Sequence, residues 1–272
     1  MSVAEAVLLG VVQGLTEFLP ISSSAHLVLV PAVLGMDDPP LSFLVLLHAA
    51  TLLALIAYFR RELVELAMTL RRPRSRKVVW LLAAGTVPAA VIGYLFEERF
   101  ERSFGKPFQV ALQLMATGVI LAGIEGLTRR RQKPEPTEGI PESEDSVDEL
   151  ATSLSIGGAV AVGFAQALSI IPGISRSGAT IAAGMGAGMS RDLSARFSFL
   201  LAIPILAGTS IFKAPDLAGA GVSVAAMVAG FIASLISGYV AIWATIGYLR
   251  RRGLLPFAAY CLVVGGVLAL FL

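Results

Sequence analysis

The chain has 272 residues, of which 56% are hydrophobic and only 15% charged, with a net charge of +2 and a mean hydropathy of +0.80. Soluble domains carry about 25% charged residues, so this composition excludes a soluble globular protein and indicates an integral membrane protein. Cys261 is the single cysteine, which excludes an internal disulfide. Glu5 precedes every Lys and Arg, so we do not expect the first segment to be a secretory signal.

The hydrophobic segments, taken in chain order, predict six spanning helices and two interrupted segments. A spanning helix needs about 20 mostly apolar residues. Segments 3–34 and 153–189 are each long enough for two short helices and carry a polar run near the middle. Because irregular backbone at membrane depth is tolerated only against protein or a wet cavity, we predict that both are re-entrant helix-turn-helix pairs. The six predicted spans are 43–59, 78–96, 108–127, 194–212, 222–249 and 254–272.

The two polar runs match each other at a constant offset of 153 residues, which predicts an internal duplication. Gly10, Gln13, Ser22 and Ser24 of the first run recur as Gly163, Gln166, Ser175 and Ser177 of the second. We therefore expect a first repeat at 1–128 and a second at 151–272, each with one re-entrant pair and three spans. The linker, 129–150, is rich in acidic residues and proline, which is typical of a disordered tether.

The basic residues orient this arrangement. If segment 60–77 is cytoplasmic and only the six spans cross, 16 of the 21 Lys and Arg residues lie inside and four lie outside. This split obeys the positive-inside rule, and it is lost if either interrupted segment crosses. The two repeats are then inverted relative to each other, with their breaks near the midplane. The predicted fold class is an all-α polytopic membrane protein with inverted repeats, six transmembrane helices and two re-entrant pairs.

Arg176 is the one basic residue that this count leaves inside the membrane. An arginine there costs about 3 kcal/mol even on lenient scales. It lies in the run PGISRSGAT, just before a predicted helix start whose free N–H groups can bind an anion. Arginine, hydroxyls and a helix N-terminus together suit phosphate, so we predict a phosphate-binding role; the alternative is a structural ion pair with Glu17. The predicted substrate-binding residues of this run are Gly173, Ser175, Ser177 and Thr180.

Glu17 and Gln13 lie four residues apart in the run QGLTEFLP, so one helical face presents both side chains. Carboxylate and amide oxygens suit hard divalent cations. We predict that Glu17 is a metal ligand or general base and that Gln13 is a metal and substrate ligand. The alternative is that Glu17 serves only as an ion-pair partner.

The run ISSSAH supplies Ser22, Ser23, Ser24 and His26. Serines at a helix start can be ordinary caps, but His26 lies three residues after Ser23 on the same predicted helical face. A hydroxyl and an imidazole at this spacing suggest a nucleophile with its base, or a proton shuttle. Ser22 and Ser24 are predicted to bind substrate. His48, the other histidine, is expected to bond a neighbouring helix instead of taking part in catalysis.

These runs resemble the two signature motifs of the undecaprenyl-diphosphate phosphatases, the bacitracin-resistance family of prokaryotic membranes. The resemblance covers nearly the whole chain and includes the later run FSFLLAIP. The first family motif is Glu or Gln, three residues, then Glu, and here it has the amide option. Gln13 thus removes a carboxylate that some members have. The second motif, Pro-Gly-x-Ser-Arg-Ser-x-x-Thr, is present in full.

The resemblance implies metal-dependent removal of the terminal phosphate from a C55 lipid diphosphate, with Mg²⁺ or Ca²⁺ as cofactor. It implies that Glu17 is the metal or acid–base residue, Arg176 the phosphate clamp, Ser23 a candidate nucleophile and His26 its partner. A metal-bound water is the alternative nucleophile. We expect a multi-pass protein of a prokaryotic plasma membrane whose active site opens to the outer face. The expected partner is the polyprenyl diphosphate lipid, with no nucleic acid, and a homodimer is compatible with the sequence.

A rival function is a polyprenyl-phosphate transporter or flippase, because inverted repeats with broken helices also serve alternating access. A transporter has no evident need for both Ser23 and His26. The sequence therefore favours the phosphatase.

Overall fold

The computed structural model describes residues 1–101, 106–129, 146–213 and 221–271. Within these ranges the chain forms twelve helices and no strand, which confirms the all-α class. The helices are α1 Val3–Phe18, α2 Ser23–Leu34, α3 Leu41–Tyr58, α4 Arg60–Met68, α5 Pro73–Glu101, α6 Pro107–Thr128, α7 Ser146–Ser153, α8 Ile156–Leu168, α9 Arg176–Gly186, α10 Arg191–Phe212, α11 Val224–Arg251 and α12 Leu255–Phe271.

Five described helices are long and apolar enough to cross a membrane: α3, α5 as far as Phe96, α6, α10 and α11. They correspond to five of the six predicted spans. The predicted sixth, α12, is also apolar but shorter, with 17 described residues. The protein is therefore a multi-pass membrane protein.

Both interrupted segments form pairs of short helices. At about 1.5 Å per residue, α1 with 16 residues and α2 with 12 are each shorter than the roughly 30 Å hydrocarbon layer. The polar runs start the second helix of each pair. Ser22 Oγ accepts from the Ala25 amide at 3.3 Å, and Ser175 Oγ accepts from the Gly178 amide at 3.0 Å. These serines are N-caps, which satisfy N–H groups that a helix start leaves free.

The two halves pack on each other reciprocally: α1 lies against α11, and α8 lies against α5. The matched glycines sit at these crossings. A Cβ at Gly10 would lie 2.3 Å from the Gly230 carbonyl oxygen, and one at Gly163 would lie 2.5 Å from the Gly85 carbonyl oxygen. Only glycine permits such close backbone approach. The division into two repeats stays a prediction, and this reciprocity is what a duplication would produce.

A short helix begins inside the predicted linker. Residues 130–145 lie outside the described residues, but α7 begins at Ser146 instead of following the linker. Val147, Leu150 and Ala151 are buried in the main core, so their apolar face explains the helix. The last residues of the predicted linker are therefore helical, and the boundary of the second repeat stays a prediction.

Ion pairs join three helix ends at one end of the bundle. Arg191 donates to both oxygens of buried Glu125, at 2.6 and 3.3 Å, and the Leu254 amide donates to Oε2 at 3.2 Å. Asp192 accepts from Arg196 and Arg250 at 3.3 and 3.1 Å. The ends of α6, α10 and α11 therefore lie together, as the predicted topology requires.

Candidate active site

The turn between α1 and α2 and the turn between α8 and α9 touch each other in the interior. The Gly173 amide donates to Ser24 Oγ at 3.1 Å, and Ser177 Oγ donates to the Leu19 carbonyl at 3.1 Å. Thr117 of α6 supports the second turn, since its hydroxyl donates to the Gly173 carbonyl at 3.2 Å and accepts from the Ser175 amide at 3.0 Å. The polar breaks of both halves thus form one composite site.

Each turn contains a residue with positive φ. Gly173 has φ of 93°, and a Cβ there would lie 2.7 Å from Gln113 Cβ. Ser22 has φ of 69° and is the one non-glycine residue with positive φ in the described part of the chain. Such a conformation is unfavourable for an L-residue and persists only where its surroundings hold it. The backbone at Ser22 is therefore held in place by specific contacts.

Glu17 is the centre of the site and is 6% exposed. Its Oε1 accepts from Arg176 Nη2 at 2.6 Å, and its Oε2 accepts from Gln13 Nε2 at 2.9 Å and Ser23 Oγ at 2.5 Å. A buried charge needs this pairing and hydrogen bonding. The Arg176–Glu17 pair, which the sequence offered as the structural alternative, is therefore present.

Arg176 is not fully used by this pair. Its Nη1 is buried and has no hydrogen-bond partner within the protein. Arg176 stands at the first residue of α9, where backbone N–H groups are also free. An unpartnered guanidinium nitrogen at a helix N-terminus is a strong donor for an anion. The ion pair and the predicted phosphate-binding role are thus compatible.

Ser23 lies on the other side of the same carboxylate. Its hydroxyl donates to Glu17 Oε2, which leaves the oxygen lone pairs free to attack. A hydroxyl held against a carboxylate can act as a nucleophile whose proton the carboxylate accepts. This contact supplies a base for Ser23 from the preceding helix.

The predicted contact between Ser23 and His26 is wrong. His26 Nδ1 lies 2.7 Å from the Ser22 carbonyl oxygen, and Nε2 lies 2.7 Å from the Tyr260 hydroxyl, so both ring nitrogens have other partners. The two rings also stack, with centroids 5.7 Å apart. His26 therefore holds the strained Ser22 turn against α12, which is a positioning role.

His48 of α3, which the sequence set aside, is the histidine nearest the charged cluster. Its Nε2 lies 3.8 Å from Glu17 Oε2, while Nδ1 lies 2.8 Å from the carbonyl oxygen of Leu44 in its own helix. The expected contact of His48 with a neighbouring helix is therefore the one with Glu17 of α1. Nothing in its local sequence pointed to the site, because Glu17 lies 31 residues away.

A cavity of about 520 Å³ opens at this cluster. Its polar end is lined by Glu17, Ser23, Arg176 and His48 with Ser22 and Ser24. From there it extends between α5 and α10 along a mostly apolar wall. That wall includes Ala89, Ala90, Gly93, Tyr94, Ile170, Pro204, Ile205, Leu206, Gly208 and Phe212. One cavity thus joins charged groups to a surface suited to a hydrocarbon chain.

The structure places five predicted site residues at the cavity and six behind it. Glu17, Ser22, Ser23, Ser24 and Arg176 line it, whereas Gln13, Gly173, Ser175, Ser177, Thr180 and His26 do not. Thr180 Oγ1 donates to the Arg176 carbonyl at 2.7 Å and lies 2.5 Å from Ser198 Oγ. Ser175 and Ser177 bind each other's hydroxyls and nearby backbone. These hydroxyls hold the turn, and their predicted substrate contacts stay predictions.

The donor set fits a divalent cation only together with phosphate oxygens. The described residues contain no group of three or more His, Cys, Asp or Glu side chains placed to hold a metal. Glu17 supplies one carboxylate, and the buried Gln13 Oε1 has no partner within the protein. A hard cation prefers oxygen ligands of this kind and often takes the remainder from substrate phosphates and water.

Comparison with known proteins gives a consistent result. The family model described as "Bacitracin resistance protein BacA" matches residues 6–267. A protein named undecaprenyl-diphosphatase from Moorella thermoacetica is 38% identical over 271 residues, covering 98% of this chain and 97% of its own. One of the same name from Geobacter sulfurreducens is 40% identical over 283 residues, covering 100% and 99%. Another, from Mycobacterium avium, is 38% identical over 293 residues, covering 98% and 96%.

Proposed function

Because this chain belongs to the BacA bacitracin-resistance family over nearly its whole length, we propose that it is a membrane phosphatase acting on undecaprenyl diphosphate. It hydrolyses the phosphoanhydride to undecaprenyl monophosphate and inorganic phosphate. The product is the lipid carrier for cell-wall or glycan synthesis, so the enzyme recycles that carrier. The names of the similar proteins support this proposal, and nothing in the site favours the transporter alternative.

The observation that carries the proposal is the two-part cavity. A polyprenyl diphosphate has a charged head and a long apolar tail. The cavity has Arg176, Glu17 and Ser23 at one end and an apolar wall between α5 and α10 at the other. The tail can therefore remain in an apolar environment while the head meets the charged cluster.

The chemistry follows from the contacts at the polar end. Arg176 Nη1 and the free N–H groups of α9 bind the terminal phosphate and stabilise its developing charge. Ser23 Oγ attacks the terminal phosphorus, the bond to the bridging oxygen breaks, and undecaprenyl monophosphate leaves. Glu17 accepts the Ser23 proton across their hydrogen bond. Water then cleaves the phosphoserine and releases inorganic phosphate. Direct attack by water that Glu17 deprotonates is the alternative, and trapping a phosphoserine distinguishes the two.

We include Mg²⁺ or Ca²⁺ in this proposal. Glu17 and Gln13 Oε1 would hold the cation, which would neutralise phosphate charge when bound. An active site opening to the outer face of a prokaryotic plasma membrane also belongs to the proposal, as does a homodimer.

The test is phosphate release from undecaprenyl diphosphate by the purified full-length protein, with and without EDTA. We expect release that EDTA abolishes and added Mg²⁺ or Ca²⁺ restores. Arg176→Ala should abolish release while the protein still folds, with a lowered thermal unfolding temperature because buried Glu17 loses its ion-pair partner. No release by the wild-type protein under any metal condition would refute the proposed function, and retained release by Arg176→Ala would refute the phosphate-binding role.

A further inference from the structure

Gln166 is a buried polar residue that the mechanism above does not use. It lies in the last turn of α8 and is 2% exposed. Neither its Nε2 nor its Oε1 has a hydrogen-bond partner within the protein, so exchanging the two amide atoms does not satisfy it either. A buried amide without partners is unfavourable by about 1–3 kcal/mol per polar atom. It is the one side chain with two such atoms in the described ranges.

Comparison with the matched residue of the first polar run, Gln13, shows why Gln166 lacks a partner. Gln13, at the matched position of α1, donates to Glu17 four residues later. The residue four positions after Gln166 is Ile170, which offers no acceptor. The hydroxyls of Ser169 and Thr86, which line the same cavity, donate to the Gln166 and Leu82 carbonyls. Neither hydroxyl bonds the Gln166 side-chain amide. The protein itself therefore leaves this amide for something else to satisfy.

The position of Gln166 indicates what that is. Gln166 lines the cavity. Gly163 contacts Gly85, and Ile170 contacts Gly93 with its Cδ1 3.5 Å from a Cβ built there. These contacts set the register of α8 along α5 and bring Gln166 to the level of Ala89 and Ala90. Both alanines belong to the apolar wall. Gln166 thus lies beside the apolar wall, in the same cavity that Arg176 and Ser23 line.

We propose that Gln166 binds the lipid-linked phosphate of the diphosphate, while Arg176 binds the terminal one. Its Nε2 donates to an oxygen of the lipid-linked phosphate, and its Oε1 accepts from a water that hydrates the same group. This assignment rests on the proposed function. It makes Gln166 the residue that places the phosphoanhydride bond in register with Ser23, and it distinguishes a lipid diphosphate from free phosphate.

Gln166→Met is the decisive variant, because methionine keeps the unbranched shape and removes both polar atoms. We expect the KM for undecaprenyl diphosphate to rise about tenfold, as for a lost hydrogen bond to a charged group, with kcat within about threefold. The thermal unfolding temperature should not fall, because an unsatisfied amide is replaced by an apolar group. Inhibition by inorganic phosphate, which binds at Arg176, should be unchanged.

Two further measurements make the result decisive. Thr245→Val is the matched control, since Thr245 Oγ1 is also buried without a partner but does not line the cavity; its KM should equal that of the wild type. Binding of a non-hydrolysable undecaprenyl methylenebisphosphonate to the full-length protein should weaken about tenfold in Gln166→Met. This binding is measured without turnover, so it tests Gln166 even if the wild type fails to hydrolyse the lipid.

The proposal is overturned if Gln166→Met leaves KM and analogue binding unchanged. It is equally overturned if both change together with a lowered unfolding temperature, which would indicate a structural role. Weakened inhibition by inorganic phosphate would refute the assignment to the lipid-linked phosphate. Gln166→Leu repeats the test should the methionine variant fail to fold.

Discussion

Arg176 illustrates how one residue can serve both the fold and the proposed chemistry. One guanidinium nitrogen holds Glu17 at 2.6 Å, while another is buried and unpartnered. This division depends on the planar fork of arginine, which a lysine ammonium lacks. The geometry of the fork, as well as its charge, therefore matters.

Arg176→Lys should retain the fold and lose most of the activity. Lysine can still pair with Glu17, but it cannot at the same time present a second fixed nitrogen to phosphate. We expect a fall in kcat on the order of 100-fold, as for loss of one preorganised donor, with the unfolding temperature little changed. Steady-state kinetics of phosphate release measure this, and a kcat within threefold of the wild type would contradict it.

Gln13→Glu should raise the affinity of the enzyme for the divalent cation. The change adds a second carboxylate beside Glu17 and restores the acidic option of the first family motif. We expect the Mg²⁺ concentration for half-maximal activity to fall about tenfold, since added ligand charge raises the affinity for a hard cation. A metal titration of phosphate release measures the shift. An unchanged or increased Mg²⁺ requirement would contradict a metal-binding role for Gln13.

Sequence spacing predicted a side-chain contact correctly where both residues are close along the chain. It failed where the true partner is far away along the chain. The four-residue spacing of Gln13 and Glu17 gives a real hydrogen bond. The three-residue spacing of Ser23 and His26 does not, because His26 reaches Tyr260, which is 234 residues away along the chain. The proximity of His48 to Glu17 likewise depends on how α3 packs. Tertiary contacts of this kind leave no mark on local periodicity.

At the scale of elements, the crossings of α1 with α11 and α8 with α5 fix where the two turns lie. Each crossing depends on a glycine that lets two backbones approach closely. The sequence revealed the matched glycines and the helix breaks, and the structure has both. It did not reveal α4 or α7, whose short amphipathic runs lie in segments predicted as loop and linker. Short helices are held by packing more than by propensity, which explains that failure.

Gly10→Ala should destabilise the protein, whereas Gly123→Ala should not. An alanine Cβ at position 10 would lie 2.3 Å from the Gly230 carbonyl oxygen, while one at position 123 meets nothing within 4 Å. We expect Gly10→Ala to cost about 1–3 kcal/mol through overpacking. Gly123→Ala should stabilise α6 by up to about 1 kcal/mol through helix propensity. Thermal unfolding in detergent measures both changes in stability. Equal effects would show that α1 and α11 can move apart at their crossing without loss of stability.

At the scale of the whole molecule, α5 and α10 come from different halves and together form the apolar wall of the cavity. Neither half alone provides both the wall and the charged cluster. The sequence predicted that the breaks of both repeats lie near the midplane and carry the ligands of the phosphate and the metal. It did not predict the wall, because apolar residues in a spanning helix look alike whether they face lipid or a cavity.

Gly208→Phe should impair activity on a substrate with a long lipid tail more than on one with a short tail. Gly208 lines the cavity, and a Cβ there meets nothing within 4 Å, so a phenyl ring can enter the space without disturbing α10. We expect the KM for undecaprenyl diphosphate to rise on the order of tenfold through lost apolar burial, with little change for a diphosphate carrying a five-carbon tail.

Gly247→Phe is the matched control for this experiment. Gly247 also has open space around it but does not line the cavity. Its kinetics should match those of the wild type for both substrates. An equal loss of activity on long and short tails in Gly208→Phe would show that the ring disturbs the head-group site and not the tail.

The pairing of Arg176 with Glu17 has a consequence for turnover. Each phosphate that reaches the guanidinium competes with a carboxylate already beside it, so part of the attraction is offset from the start. When inorganic phosphate departs, Glu17 is at hand as the counterion, and the buried cation is never left unpaired. The ion pair that weakens substrate binding therefore favours release of the product. A site with higher affinity for phosphate would instead retain the inorganic phosphate that the reaction forms.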